Sequence, residues 1–373
     1  MSSRPPDQIR LESEAGTLDV FNALECVNDI LAPAQCGFDV GDDDSYDSLA
    51  DVVAHGKSFK VYLNDRLRLT GRVYVNEIPV DVTNGATVNL VVRSILADAH
   101  YASADPKVRV QDTSIADFLL ALYAPLGLTR DDFIFDANLE RDLMTGVPTK
   151  GGAAPADLEP IKLDAAKVCP PESIYEAASK HLKRFGLMHW DTPEGNVYVG
   201  APDDQQRPLY RILCKRGAAA AANNVLSVKR IADWSDVPSE VRVYGGGGVK
   251  DIAQSPLGST LGWTDVVQAG FNRPVLILNE GARSQAQVDA QARRERSKRS
   301  MRKDAYEITI DGWSYWDGSQ AIPWAINTTA DVDVDVVGGP QGLYYVHRVV
   351  CRYDTEGAPV TTVNAVAQGI WAT

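Results

Sequence analysis

The sequence predicts a mainly β protein with α+β insertions, and three observations carry that prediction. Residues 59–92 ("FKVYLNDRLRLTGRVYVNEIPVDVTNGATVNLVV") alternate apolar and polar in the two-residue period of half-buried strands. The same pattern returns after residue 222, as "VLSVKRI", "SEVRVYG" and "PVLILN". Residues 72–92 also match residues 348–367: each opens on Arg-Val, continues as a strand, turns at a glycine and resumes as "VNLV" or "VNAV". Arg72 to Asn89 spans 17 positions and Arg348 to Asn364 spans 16, so one residue of hairpin length separates the two copies. Chance likeness between two β-hairpins is the plain alternative. Taken as a repeat, the match implies two β domains of one kind flanking a middle α+β region.

The elements follow in order. "LND" and "TNG" are turn signals, and Asn84-Gly85 supplies the positive φ of a tight hairpin. From Ser114 the period lengthens. Ile115, Phe118, Leu119, Leu122 and Tyr123 make an i, i+3, i+4 stripe that Asp112 or Ser114 caps and Pro125 and Gly127 end. "TGVPTKGGAAPADLEP" (145–160) reads as an exposed loop or linker. Pro171 then stands at a helix start with an apolar face of Ile174, Ala177, Ala178 and Leu182, stopping near Gly186. "TPEG" turns a hairpin between "LMHW" and "NVYVG". One helix from Ser284 to Arg302 interrupts the final strands. The predicted organisation is a first β domain over 1–105, small α/β domains over 106–222 joined by the loop 145–160, and a second β domain over 223–373 carrying a basic helix at 284–303.

Composition narrows the class. The 373 residues are 45% hydrophobic and 23% charged, which suits a globular chain of two to four domains. No apolar run approaches the ~20 residues of a membrane helix, so no membrane insertion is expected. The polar, proline-rich start ("MSSRPPDQ") has no apolar segment of a secretion signal, so synthesis in the cytosol is expected. Five cysteines, an odd number with no C-x-x-C, favour reduced buried thiols; Cys26 and Cys36 are the pair able to bridge a loop. A net charge of −13 argues against general DNA affinity.

Catalytic signatures are sparse. The chain holds no H-E-x-x-H, G-x-S-x-G or P-loop. "GGGG" (245–248) follows a strand but lacks a following Lys-Ser/Thr, so it reads as a turn rather than a phosphate cradle. His181 and His189 have no Cys or acidic partner at ligand spacing, which argues against a metal. Asp131-Asp132 is an adjacency without weight among fifty acidic residues. Asp42, Asp43 and Asp44 resemble a calcium loop but lack its Gly and Glu, and a solvated acidic loop fits better. The expectation is no enzyme and no cofactor.

The ordered series "VYLNDRLRLTGRVYVNEI", "SIADFLLALYAPLGL", "ESIYEAASKHLKRFGLMHWDTPEGNVYV", "AQVDAQARRERSKRSMRKDAYEITIDGW" and "GLYYVHRVVCRYDTEGAPVTTVNAV" resembles the baseplate central hub proteins of contractile-tailed phages, the Mu-like and late control protein D family. It covers roughly residues 50–370. The acidic stretch 39–51 and the loop "QSPLGSTLGWTD" (254–265) depart from the family pattern. The resemblance implies two antiparallel β-barrels like the tail-tube subunit flanking small α/β domains, in a trimeric ring of pseudo-sixfold symmetry. Such a homotrimer joins the trimeric tail spike to the hexameric tail tube or tube-initiator ring, touches tape-measure and baseplate wedge proteins, and surrounds a channel that DNA crosses without specific binding. It belongs to the virion tail baseplate and is assembled in the host bacterial cytoplasm. No run of short β repeats ends the sequence, so the spike is expected to be a separate polypeptide. Alternatives are a tail-associated cell-wall lysin and the hub of a phage-derived contractile injection device.

Within that reading, Arg72, Asn89, Arg348 and Asn364 mark the paired hairpins as inter-subunit or tube- and spike-docking elements. "DVDVDV" has strand period, so Asp331, Asp333 and Asp335 share a face that either meets water or lines the channel. Arg293, Arg294, Arg296, Lys298, Arg299, Arg302 and Lys303 surround the second half of the basic helix, leaving no wide apolar stripe to face a core. The helix therefore reads as a docking element whose acidic partners lie on other chains, with DNA the lesser alternative. Reversing Arg293, Arg294 and Arg296 together is expected to leave the fold intact and weaken ring assembly.

Overall fold

A computed structural model describes residues 8–14, 16–18, 21–41, 56–77, 80–81, 85–108, 114–136, 168, 171–216, 223–246, 253, 255–279, 282, 284–335, 339–354 and 357–371. Asn84, Asp112, Cys169, the Asp42–Asp44 cluster, the loop 145–160 and the glycines 247–248 lie outside the described residues.

Strands β1 (Ile9–Ser13), β2 (Gly16–Leu18), β3 (Ala23–Asp29), β4 (Ala32–Gly41), β5 (Ser58–Leu63), β6 (Arg66–Glu77), β7 (Val80–Asp81) and β8 (Gly85–Arg93) open the chain. The middle holds α1 (Ile95–Tyr101), α2 (Ile115–Tyr123), β9 (Phe133–Phe135), α3 (Ile174–Leu182), β10 (Met188–Asp191) and β11 (Val197–Gly200). Then come β12 (Tyr210–Cys214), β13 (Val225–Ile231), β14 (Glu240–Gly245), β15 (Leu257–Gly262), α4 (Thr264–Gln268), β16 (Pro274–Asn279) and α5 (Gln285–Lys303). β17 (Ala305–Asp311), β18 (Ser314–Trp316), β19 (Ala321–Pro323), β20 (Thr328–Val334), β21 (Gln341–Asp354) and β22 (Val360–Ala367) complete it.

One large sheet runs in the order β13-β17-β22-β21-β3-β4-β8-β6-β5-β1-β2, with β20 also on β21, β12 on β20 and β7 on β8. Its neighbours are antiparallel except β12 with β20. Among the described residues the first eight strands meet the last ones through one ladder, β3 on β21, from Ala23↔Asp354 to Asp29↔Arg348. Alternation then sends the apolar side chains of both sets into one core, where Leu11, Phe38, Val61 and Leu90 join Ile212, Ile308, Val332 and Val363. At the β5–β6 turn, Asn64 and Asp65 both take positive φ, 53° and 56°, the geometry a two-residue hairpin needs.

The α/β unit packs α1, α2 and α3 on the sheet β10-β11-β9, with Phe118, Leu122, Ile174, Leu182 and Val197 in its core. Ser114 caps α2 by accepting from the Asp117 N–H at 3.1 Å, and Gly127 closes the turn beyond it at φ 78°. Pro171 does not open α3. The helix begins at Ile174 because Ser173 and Glu176 form a reciprocal capping box that satisfies two end N–H groups. Strands β14, β15 and β16 form a separate three-stranded sheet, covered by α4 and α5 over Val241, Val243, Trp263, Val266, Val288 and Ala292.

Two expectations are corrected. Cys26 and Cys36 are joined as a disulfide rather than held as free thiols. Parity and spacing missed this because the β3–β4 register, which sets the two residues face to face, is a tertiary fact. The repeated hairpins both exist, but their registers differ. Arg348 stands opposite Asn364, whereas Arg72 stands opposite Arg93 and Asn89 opposite Glu77. The β7–β8 pairs Val80↔Ala86 and Asp81↔Gly85 carry the first hairpin's ladder on toward its turn, whereas the second hairpin's ladder ends at Arg352↔Val360, so the matched residues fall at different depths in the two hairpins.

Candidate assembly surfaces

The proposed interface residues fall into three places. Arg72, exposed on β6, reaches Asp98 of α1 at 3.5 Å. Across the ladder, Arg93 lies 5.5 Å over the Tyr74 ring and donates to the Tyr101 hydroxyl at 2.7 Å, while the Tyr74 hydroxyl donates to Asp98. Burial and then the Asp98 carboxylate push the Tyr74 phenol well above its usual range. Tyr101 itself is 69% exposed. Sequence reading passed over this cluster; its signal was an aromatic, Tyr101, at the end of α1 eight residues after Arg93 at the end of β8. Asn89 lies in β8 between Asp39 and Glu77. On the second hairpin, Arg348 sits 3.7 Å from Asp29, whose pKa is raised by burial against the opposing pull of the Leu31 N–H and Arg348. Asn364 is buried, opposite Glu307 and Arg348.

On β20, Val332 and Val334 are fully buried and Asp331 and Asp333 point the other way; Asp335 follows the strand's end. Asp333 pairs with Lys215 at 2.5 Å, and Asp335 is exposed. Beside them, the Asn224 side chain bridges β12 to the approach of β13, accepting from the Leu213 N–H at 2.9 Å and donating to the Arg211 carbonyl at 3.0 Å.

The basic helix differs from the expectation. Its second half buries Ser297 and Met301, and Ser297 donates to the Ile370 carbonyl at 2.5 Å. A hydroxyl whose hydrogen bonds are made can face a core that an apolar-stripe count would deny it. Several cations find acidic partners on their own chain. Arg294 lies 3.7 Å from Glu295, Arg299 bonds the Asp236 carbonyl at 3.1 Å, Arg302 pairs with the Asp236 carboxylate at 2.7 Å, and Lys303 pairs with Asp265. Arg296 lies 5.9 Å over the Trp263 ring. Arg294 has a side chain only 10% exposed, and burial lowers its pKa. Reversing its charge would bury an uncompensated carboxylate, so the triple reversal is expected to harm the fold, contrary to the sequence expectation. Arg293 and Lys298 remain exposed.

Among the described residues no group of three His, Cys, Asp or Glu is placed to hold a metal ion, and no helix is long and apolar enough to cross a membrane. His181 is buried edge-on to Phe118 at 4.6 Å, and His189 packs on Tyr175 at 4.4 Å. Both therefore serve the core of the α/β unit.

No family model matches the chain, and no curated protein matches it in sequence. Solved structures do. A tail protein from Neisseria meningitidis MC58 superposes with a TM-score of 0.73 at 14% identity, covering 98% of each chain. The fold is that of a phage tail protein. A 43 kDa tail protein of prophage MuSo2 from Shewanella oneidensis gives a TM-score of 0.71 at 16% identity, over 98% of this chain and 99% of that one. The tail-protein fold extends more loosely to the E. coli c3393 protein, a type VI secretion component described as structurally similar to the T4 tail proteins gp27 and gp5. There the TM-score is 0.55 at 9% identity, over 97% of this chain and 78% of that one.

Proposed function

We propose that the chain is a structural, non-enzymatic virion protein: the trimeric central hub of a tail baseplate, joining a trimeric spike to a hexameric tube around the DNA channel. One observation carries the reading. The likeness to two tail proteins, one of them from a prophage, runs over nearly the whole of each chain, so it takes in the large sheet and both small α/β units together. On this reading residues 1–105 and 223–373 supply two tube-like barrels and 106–222 the intervening α/β part. The first barrel is drawn from β1–β8. The second is drawn from β13-β17-β22-β21-β20, with β12 (Tyr210–Cys214) added from ahead of residue 223, and the Asn224 side chain, which bonds Leu213 and Arg211, supports closing it between β12 and β13. Two such barrels per chain let three chains present six like units to a tube, and closed assemblies repeat one interface.

The hairpins of Arg72, Asn89, Arg348 and Asn364, and the exposed Arg293, are assigned to contacts between subunits or with tube and spike. Asp331, Asp333 and Asp335 are assigned to the channel wall, where carboxylates repel a passing phosphate backbone. The likeness to a type VI secretion component supports one second reading, the hub of a contractile injection device. Native mass spectrometry of the purified protein, alone and mixed with its spike, tests the hub. A trimer in either sample is the expected result, and a monomer in both overturns it.

A further inference from the structure

Three cysteines stand in one row across three neighbouring strands. Cys36 on β4 is opposite Cys26 on β3, and Cys26 is in turn opposite Cys351 on β21. Residues in direct register on adjacent strands send their side chains to the same face. All three are buried in the same core, with Cys36 fully enclosed and the other two nearly so. Cys26 and Cys36 carry the disulfide, and Cys351 is a free thiol. The 4.0 Å between the Cα atoms of Cys26 and Cys36 marks the closer kind of antiparallel pair. A residue in a close pair on one side turns its N–H and C=O to the other neighbour. That makes Cys26 and Cys351 the wider kind, about 5.5 Å apart, well inside the span a disulfide bridges.

A cation stands beside this row. Arg68 on β6 is 4% exposed and donates from Nη1 to the Trp324 carbonyl at 2.6 Å and from Nη2 to the Cys351 sulfur at 3.0 Å. Among the described residues no carboxylate lies within ion-pair distance of it. The Thr361 hydroxyl lies 3.8 Å from the same sulfur. A buried guanidinium without a carboxylate is costly, so a site where negative charge develops on sulfur gives it a partner.

We propose that Cys36, Cys26 and Cys351 form a sulfur relay in which one disulfide moves between the β3–β4 hairpin and the β3–β21 joint. Cys351, as thiolate, attacks the Cys26 sulfur. The Cys351–Cys26 bond forms, the Cys26–Cys36 bond breaks, and Cys36 leaves as thiolate and takes up the proton that Cys351 gave up. Nothing is oxidised or reduced overall, so no further reagent is needed. The register sets the residues of the nucleophile, the central sulfur and the leaving sulfur in that order across three neighbouring strands, the order that displacement at sulfur requires. Arg68 meets the charge at the Cys351 end. The consequence is architectural: the crosslink passes from a local hairpin to the β3–β21 ladder, which joins the early strands to the late ones. There it closes a far longer loop of chain and restricts the unfolded state more.

The test equilibrates the full-length protein in glutathione buffers of several ratios of reduced to oxidised form. Samples are quenched in acid, alkylated with N-ethylmaleimide, digested, and mapped for disulfide-linked peptides by mass spectrometry. The expected result is two species, Cys26 linked to Cys36 and Cys26 linked to Cys351, with the second lost in Cys351→Ser and kept in Cys214→Ser. Finding Cys26–Cys36 alone at every ratio overturns the proposal. Cys36→Ser, checked for native circular dichroism, should hold Cys26–Cys351 as its linked pair, and a folded Cys36→Ser without that link overturns it equally. Arg68→Gln should slow interconversion about tenfold, the scale of a charge-assisted hydrogen bond, and Arg68→Lys should restore it. An unchanged rate in folded Arg68→Gln removes Arg68 from the relay.

Discussion

Helices α3 and α5 bury themselves by different physics. α3 turns Ile174, Ala177, Ala178 and Leu182 inward and is capped by a Ser173–Glu176 box, so transfer of apolar surface from water holds it. α5 turns Gln291, Ala292, Ser297 and Met301 inward, with Val288 as its other large apolar contact. Its buried polar groups are matched instead. Asn279 donates to Gln291 at 2.6 Å, and Ser297 donates to the Arg293 and Ile370 carbonyls. A helix can thus be docked firmly while its sequence looks solvent-facing, provided that each inward polar atom has a partner.

The comparison breaks most visibly at Leu182, which is fully buried in the core of the α/β unit. Leu182→Ala is expected to cost about 2–5 kcal/mol, the range for a buried leucine that leaves a cavity. Urea unfolding of both proteins reads it directly. A loss below 1 kcal/mol would mean that α3, like α5, is held mainly by polar contacts.

Acid should strike where the two helices meet. His189 lies on β10 against Tyr175 of α3, and burial, then Arg294 of α5 and His100, push its pKa down to about 3. His347 on β21 is lowered to about 4 by burial and by Arg348. A histidine lowered in the fold contributes stability that is whole above its unfolded value of about 6.5 and drains away as pH falls through that value toward the folded one. Asp191, nearby on β10, acts in the opposite sense. Burial raises it to about 6 against hydrogen bonds from Ser94, Ala34 and Leu96, so its protonation below pH 6 favours the fold. From pH 7 to 5 each histidine should cost about 2 kcal/mol and Asp191 return about 1, a net loss of about 2–3 kcal/mol. Denaturation curves at the two pH values check the sign. Flat stability would mean that water reaches both imidazoles.

What the sequence disclosed follows the same division. The strands of 59–92, the α2 stripe, the hairpin at "TPEG" and the alternation of "DVDVDV" were legible because each is a local period set by which side chains leave water. The position of α3 was legible but its first residue was not, since a capping box outweighed the proline three positions earlier. Long-range register was hidden. Nothing local tells that Cys26 lies between Cys36 and Cys351, or that Arg72 faces Arg93 rather than Asn89. The cations of α5 are plain in the sequence but their partners are not, because Asp236 and Asp265 arrive from other parts of the chain.

Those partners set the smallest effect and the finest test of the difference between the helices. Arg302 and Asp236 are 62% and 61% exposed, so their 2.7 Å pair sits in water and is screened by salt. Arg302→Ala should therefore cost at most about 1 kcal/mol in unfolding, and about half a molar of salt should erase even that. If α5 depended on its ion pairs as α3 depends on Leu182, the same substitution would cost several times more and unfolding would become strongly salt-dependent. Measuring Arg302→Ala at low and high salt beside Leu182→Ala separates the two cases. The expected pattern is a small, salt-sensitive loss on α5 and a large, salt-insensitive one on α3. In that pattern the buried hydrogen bonds of Gln291 and Ser297 hold α5, and its exposed charges remain free to meet another chain.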